Sequence, residues 1–315
     1  MGQLKYFELF AGTGIAGMGI ETVFPTAECV GYSEIDPYAV KNYDENHPSR
    51  LNYGDITKIN EKTLPDFDIL VFGSPCTDIS QANSKGVKGL KGEQSSLFYD
   101  SVRILNYKRP KWFMFENVRN LLYSNKGEDL KIVLDLLSEN YTITYKVVDT
   151  KDYGVPQTRK RIYILGQLKE LGVFDYNFPP EVELTIKAQD LLEPQVSDKY
   201  YLSEKMRTYV LDQGEKRYNF SVKTDLDIAC TLVSTMHKMH RAGIDNYYHT
   251  EYRPKGKTNL RRLTPRECAR LQGLPDTYKI VVSDTQAYRL FGNAMSLNVV
   301  TALMEQLKKF IENNV

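Results

Sequence analysis

From residue 4 to residue 166 short apolar runs alternate with longer amphipathic stretches, and this alternation constrains the fold more than any other feature. The runs are LKYFELF (4–10), ECVGYS (28–33), FDILVFG (67–73), KWFMFE (111–116), YTITYKVVD (141–149) and KRIYILG (160–166). Between them lie helix-like segments such as DPYAVKNYDEN (36–46), SSLFYDSVRILNYK (95–108) and EDLKIVLDLLSEN (128–140). Parallel strands need a crossover of this length, so the pattern predicts an α/β fold, a doubly wound and mostly parallel sheet with helices on both faces. After Gly166 the pattern degrades, and Pro179 with Pro180 marks a boundary. Residues 181–262 carry tyrosines, charges and broken periodicity, which reads as a second, smaller, loop-rich domain. Helical pattern returns at LTPRECARLQGLP (263–275), where Thr264, Pro265 and Glu267 form a capping box with proline at the first helical position. The expected organisation is therefore 1–180 for the first domain, 181–262 for the second, and 263–315 returning to the first.

Several classes are excluded early. No apolar run reaches the roughly 18 residues that span a bilayer, and the N-terminus lacks the basic-then-apolar order of a signal peptide, so the expectation is a cytoplasmic protein without a membrane partner. The four cysteines, Cys29, Cys76, Cys230 and Cys268, have neither CxxC nor zinc-ligand spacing, so no metal is expected. The net charge is only +1, but Lys238, Arg241, Arg253, Lys255, Lys257, Arg261, Arg262, Arg266 and Arg270 cluster late in the chain. Such a stretch suits a polyanion, and equally suits a solvated surface.

In an open parallel sheet, ligands bind beyond the carboxyl ends of the strands, so the residues that follow each strand are the informative ones. The first run leads into AGTGIAG, a GxGxxG made by Gly12, Gly14 and Gly17, and Glu34 ends the second run about 20 residues on. Glycine turn plus distant acid is the fingerprint of an adenosine-type cofactor, with the acid on a ribose hydroxyl. The third run ends in Gly73-Ser74-Pro75-Cys76, and the fourth in Glu116-Asn117-Val118. The last run begins in PQTRKR, where strand alternation would put Arg159 and Arg161 on one face and Lys160 on the other. Cys76 alone could be nucleophile, metal ligand, redox group or core filler. A thiol flanked by guanidiniums, with a carboxylic acid in an apolar pocket, suits addition of sulfur to an electron-poor ring assisted at a ring nitrogen.

At this point the residues carry a resemblance. In order the chain shows FELFAGTG, YSEIDPYA, YGDI, GSPCTDIS, FENV, QTRKRIYILG, RLTPRECARLQGLP and RLFGNAMSLNVV, and so resembles, nearly end to end, the 5-cytosine DNA methyltransferases of bacterial and phage restriction-modification systems. The resemblance implies a Rossmann-like methyltransferase fold, a target-recognition domain over 181–262, S-adenosylmethionine as methyl donor, and double-stranded DNA as substrate. It also implies a monomer whose cognate restriction endonuclease acts separately. By position, Cys76 would attack cytosine C6, Glu116 would contact N3 and the exocyclic amine, Arg161 would hold the carbonyl oxygen, and Arg159 would sit near the thiol and the phosphate. Phe10, Gly12, Gly14, Glu34, Asp55, Pro75 and Asn293 would line the adenosylmethionine site. Since C6 is unreachable inside a duplex, the cytosine would be flipped out. Residues 80–96, with Gly86, Gly89 and Gly92, would close over it as a lid, and His240 and Arg241 beside Gly243 are candidate groove-reading side chains.

The chain departs from the family pattern at Ile15, usually glycine, at Ile35, often tryptophan, and at Thr77, commonly glutamine. None of these removes a chemical group. A dinucleotide-dependent dehydrogenase would share the glycine turn and Glu34 but has no use for Cys76 with Glu116 and Arg161. The subtler alternative is a tRNA cytosine-5 methyltransferase, a branch typified by a further cysteine-containing motif that DIACTLVSTMHKMHR does not match.

Overall fold

A computed structural model describes residues 3–75, 97–213, 223–238 and 243–314. The chain packs as two compact units. The first comprises residues 1–148, 160–180 and 299–315, and the second 149–159 and 181–298. Residues 263–298, which the sequence pattern grouped with the first domain, thus pack within the second unit.

The first unit is built on six strands: β1 (Lys5–Leu9), β2 (Glu28–Ser33), β3 (Ile69–Phe72), β4 (Trp112–Val118), β5 (Tyr141–Asp149) and β6 (Lys160–Leu168). They lie in the order β2-β1-β3-β4-β6-β5. β1 pairs in parallel with β2 and β3, and β3 with β4, whereas β6 runs antiparallel to β4. Helices α1 (Ile15–Val23) and α2 (Pro37–Asn46) flank β2 in sequence, while α3 (Leu97–Lys108) and α4 (Glu128–Ser138) flank β4. The chain leaves β1 for β2 on one side and later returns to lay β3 on the other. That reversal opens a crevice beyond the carboxyl ends of β1 and β3.

Strand alternation assigns each face of the sheet. Phe7 and Leu9 point with Leu70, Phe72, Phe113, Phe115, Ile162 and Ile164 into a core closed by Phe98 and Val102 of α3 and by Val133 and Leu137 of α4. Tyr6 and Glu8 point the other way, toward α1 and α2. Asp36 starts α2 by accepting from the backbone N–H groups of Tyr38 and Ala39, with Pro37 at the first helical position.

Within the second unit are α5 (Glu204–Thr208), the antiparallel pair β7 (Tyr247–His249) and β8 (Leu260–Arg262), α6 (Pro265–Arg270) and α7 (Asp284–Asn293). Its small core joins Leu202 and Val210 to Tyr247 and Leu260. The expected capping box is present: Thr264 accepts from the Glu267 N–H and the Glu267 carboxylate accepts from the Thr264 N–H at 2.8 Å. The last helix, α8 (Leu297–Asn313), returns its residues from 299 onward to the first unit. There the Tyr176 hydroxyl donates to the Leu303 carbonyl at 2.9 Å, and Phe174 meets Phe310 edge to face at 5.1 Å.

Candidate active site

The turn after β1 is left-handed at three of its positions: Phe10 (φ 55°), Gly12 (φ 54°) and Gly14 (φ 75°). A Cβ on Gly12 would meet only the Phe10 carbonyl, at 3.8 Å, so that glycine answers to backbone shape and leaves room above the turn. The turn is tied to the end of β2, because Glu34 accepts from the Gly12 N–H at 3.0 Å with one carboxylate oxygen. Its other oxygen accepts from Ile35 and Asp36 N–H at 2.8 and 2.9 Å. Asn52 adds a brace that the sequence did not reveal. Its side-chain oxygen accepts from Glu34 N–H at 3.2 Å and Gly54 N–H at 2.9 Å, and its amide donates to the Glu34 carbonyl at 3.1 Å. Asp55, just beyond, accepts from Thr57 N–H and hydroxyl at 3.0 and 2.8 Å, hydrogen bonds that hold its carboxyl below the usual range. The glycine turn, Glu34 and Gly54 are thus joined through hydrogen bonds by way of Asn52, and Asp55 is the next residue along the chain.

Beyond β3, Ser74 is buried and Pro75 half-buried. The amide of Asn117, itself buried on β4, donates to the Ser74 hydroxyl at 3.5 Å, and its oxygen accepts from Val118 N–H at 2.8 Å. Cys76, Thr77 and the proposed lid at 80–96 lie outside the described residues, as do His240 and Arg241. Glu116 sits opposite Tyr163, and Val118 opposite Arg161, which places Glu116 and Arg161 on one face as a diagonal cross-strand pair. They form an ion pair with Arg161 Nε 3.1 Å from Glu116 Oε1, the side chains 14% and 12% exposed. Arg161 also donates to the Lys160 carbonyl at 2.9 Å, which fixes the guanidinium plane. A carboxylate and a five-donor cation thus stand together, the pair of groups that a planar hydrogen-bonding ligand can be read by.

Arg159 does not join that pair. β6 begins at Lys160, so strand alternation stops one residue short of Arg159 and the expected convergence of two guanidiniums does not occur. Arg159, 1% exposed and part of the second unit, donates instead to the carbonyls of Leu232 at 2.9 Å, Gly292 at 3.1 Å and Ala294 at 2.6 Å. Its backbone N–H donates to Asp149 at 2.7 Å. Asn293 lies between two of those carbonyls, exposed at the end of α7.

Much of the basic stretch is likewise committed within the chain. Arg261 and Glu267 are 1% and 0% exposed and form a two-pronged pair at 2.9 and 2.7 Å. Arg262 lies over the rings of Tyr288 and Tyr200, Arg266 donates to the Tyr278 carbonyl at 2.7 Å, and Arg270 grips Asp276 with two bonds of 2.8 Å. Arg253 pairs with Glu204 at 2.7 Å. A run of charge in sequence is here largely internal bracing, with Lys255 an exposed exception.

No helix among the described residues is long and apolar enough to cross a membrane. The family model for C-5 cytosine-specific DNA methylase matches residues 4–309. The chain is 37% identical over 313 residues to Type II methyltransferase M.NlaX of Neisseria lactamica, covering 97% of this chain and 96% of that protein. It is 34% identical over 314 residues to Type II methyltransferase M.HhaI of Haemophilus parahaemolyticus, covering 94% and 92%. Among solved structures, the Entamoeba histolytica methyltransferase EhMeth superimposes with a TM-score of 0.80 at 21% identity, covering 99% of each chain, a likeness of fold. With a family match over nearly its whole length and relatives that it covers end to end, the chain belongs to the C-5 cytosine-specific DNA methylases and is a DNA cytosine-5 methyltransferase.

Proposed function

We propose that the chain methylates C5 of one cytosine within a short double-stranded sequence, using Cys76 as nucleophile toward C6 and the Glu116–Arg161 pair to hold and polarise the base. The observation that supports this reading most is that ion pair. Its geometry offers acceptor and donor edges side by side at the ends of β4 and β6. Cytosine presents a matching edge, with an amine to satisfy the carboxylate and a carbonyl oxygen to satisfy the guanidinium. Protonation or hydrogen bonding at N3 draws electrons from C6 and makes it a target for sulfur. The base has to leave the duplex for these contacts to form.

S-adenosylmethionine fits the crevice beyond β1 and β3, and supplies an electrophilic methyl group when bound. The open turn at Gly12 leaves room for it, Glu34 would read its ribose diol, and Phe10, Gly14, Asp55 and Pro75 would complete the contacts in the first unit. Arg159, with its guanidinium on three carbonyls, is a positioning residue of the second unit rather than a substrate contact. We assign residues 185–262 to reading the target sequence. We further propose that the enzyme acts as a monomer and protects sites from a separate endonuclease.

Base-resolution bisulfite sequencing of unmethylated DNA after incubation with enzyme and S-adenosylmethionine tests the proposal. Protected cytosines in one recurring context are expected. Cys76→Ser should abolish protection while leaving DNA and cofactor affinity within about threefold, since only the covalent step needs sulfur. Near-normal turnover by that variant would refute the nucleophile. Protection of tRNA but not of DNA would move the substrate to the alternative class.

A further inference from the structure

Beneath the glycine turn, on the face of β1 away from the phenylalanine core, lies a cluster of charge that the reaction does not use. Glu8 is 1% exposed. One of its oxygens accepts from Gly17 N–H in the first turn of α1 at 3.0 Å, and the other from the Tyr43 hydroxyl of α2 at 2.7 Å. Arg50, beyond α2, brings one nitrogen within 3.7 Å of Glu8 and 3.1 Å of the Tyr43 hydroxyl. Its other nitrogen binds Glu21 of α1, which also accepts from the Tyr6 hydroxyl at 2.7 Å. The guanidinium lies 5.8 and 6.0 Å from the ring centres of Tyr43 and Tyr6. One cation therefore serves two carboxylates and two aromatic faces drawn from β1, α1 and α2.

This cluster dictates two of the three glycines above it. A Cβ on Gly17 would lie 2.5 Å from a Glu8 oxygen and 2.7 Å from the Tyr6 hydroxyl. A Cβ on Gly14 would lie 2.3 Å from the His47 ring and 3.0 Å from Tyr43. The glycine pattern that reads as close approach of a ligand is shaped from below as well.

We propose that Glu8 and Arg50 form a proton-linked latch that positions the glycine turn, so that affinity for the nucleoside cofactor follows the ionisation of Glu8. The inference rests on the reading of that turn as the S-adenosylmethionine site. With Glu8 ionised, both of its hydrogen bonds are charge-assisted, and its negative charge sits at the positive end of α1. With Glu8 protonated, the acid has to donate toward Tyr43, whose oxygen already accepts from Arg50, and the bond from Gly17 loses its charge assistance. The groups that face Glu8 are Tyr6 on its own strand, Glu21 on α1, Cys29 on β2, and Tyr43 and Arg50 from α2 and beyond, with His47 against Arg50. Burial raises both tyrosines far beyond the neutral range and Cys29 to about 11, and it lowers His47 to about 4. Burial pushes Glu8 up to about 7, opposed by Tyr43, Arg50 and Gly17, and this leaves it poised within the working range of an intracellular enzyme.

Calorimetric titration with S-adenosylhomocysteine from pH 5.5 to 8.5, together with amide hydrogen exchange of the protein without ligand, tests the latch. For the wild type, affinity should fall about tenfold as pH drops through the neutral range, the difference between a charge-assisted and a neutral hydrogen bond. Glu8→Gln should hold the weaker affinity at every pH and speed exchange at residues 12–17. Arg50→Met should move the midpoint to higher pH, and Arg50→Lys, which keeps the charge, should move it less if the methionine variant folds poorly. A flat wild-type profile, or wild-type affinity and slope in Glu8→Gln, would overturn the proposal. Absence of binding at every pH in every protein would overturn the cofactor reading instead, and unchanged exchange in Glu8→Gln would then overturn the latch separately.

Discussion

Among the buried carboxylates of this molecule, Glu267 and Glu8 have surroundings that could hardly differ more. Glu267, in the second unit, receives both prongs of Arg261 and the N–H groups of Thr264 and Glu193, the last at 2.7 Å. Every lone pair has a donor, and the charge has one partner of its own. Glu8, in the first unit, has two donors and shares its cation, which stands 3.7 Å away and binds Glu21 more closely. The first arrangement is a brace, with every acceptor site filled. The second is left short of compensation, and burial therefore lifts its proton affinity toward neutrality. Equal burial does not make equal electrostatics; the number and exclusivity of partners decides which carboxylate is rigid and which is responsive.

The largest expected effect breaks the brace. Arg261→Met should leave Glu267 buried without its cation and destabilise the protein by about 3–5 kcal/mol, while Arg261→Met with Glu267→Leu should recover most of that loss. Chemical denaturation of both variants checks the pair, and equal destabilisation by the two would contradict a charge-based account.

The next sharpens the contrast from the other side. In the folded protein Glu8 keeps its proton up to about 7, against 4.5 as the ordinary value. Between those values the folded state binds a proton that the unfolded state has released, so stability from this group is full at low pH and is lost as pH rises through 7. Relative to Glu8→Gln, the wild type should lose on the order of 3 kcal/mol between pH 4.5 and 7.5, from about 1.4 kcal/mol per pH unit. A stability difference independent of pH would show that Arg50 neutralises Glu8 as fully as Arg261 does Glu267. The smallest effect concerns the cap beside the brace: Thr264→Ala should cost about 1 kcal/mol, visible as a modest shift of the melting curve at every pH.

The contrast also marks where sequence reading succeeds. The six strands were legible because each is a short apolar run between amphipathic stretches, and the glycine turn, Glu34 and Glu116 were legible because each stands at the end of such a run. β4 runs on to Val118, past the apolar run, because Glu116 and Asn117 pair with β6 and extend it. The carbonyls that Arg159 binds lie 73 to 135 residues away, and a two-residue alternation carries no knowledge of them. The Glu8 cluster was invisible for a related reason. Tyr43 lies 35 residues from Glu8 and Arg50 lies farther still, beyond α2, and Glu8 itself sits inside a hydrophobic strand, where the run looks apolar despite it. The basic stretch illustrates the opposite error: charge counted along the chain overstates charge presented to a ligand when Arg261 and Arg262 are packed inside the second unit and Arg270 is paired with Asp276.

Gly292 has a consequence for engineering new specificity. Its Cα rests against the backbone of Val233 and Ser234, where even a methyl group would come within 2.2 Å. That contact is main chain against main chain, so it tests the path of the segment and ignores its side chains. A recognition segment grafted from a relative can therefore change every residue it presents, provided its last stretch before residue 235 follows the same course. Chimeras cut downstream of Ser234 keep the native seam, whereas those cut upstream import a foreign backbone into a contact with no slack.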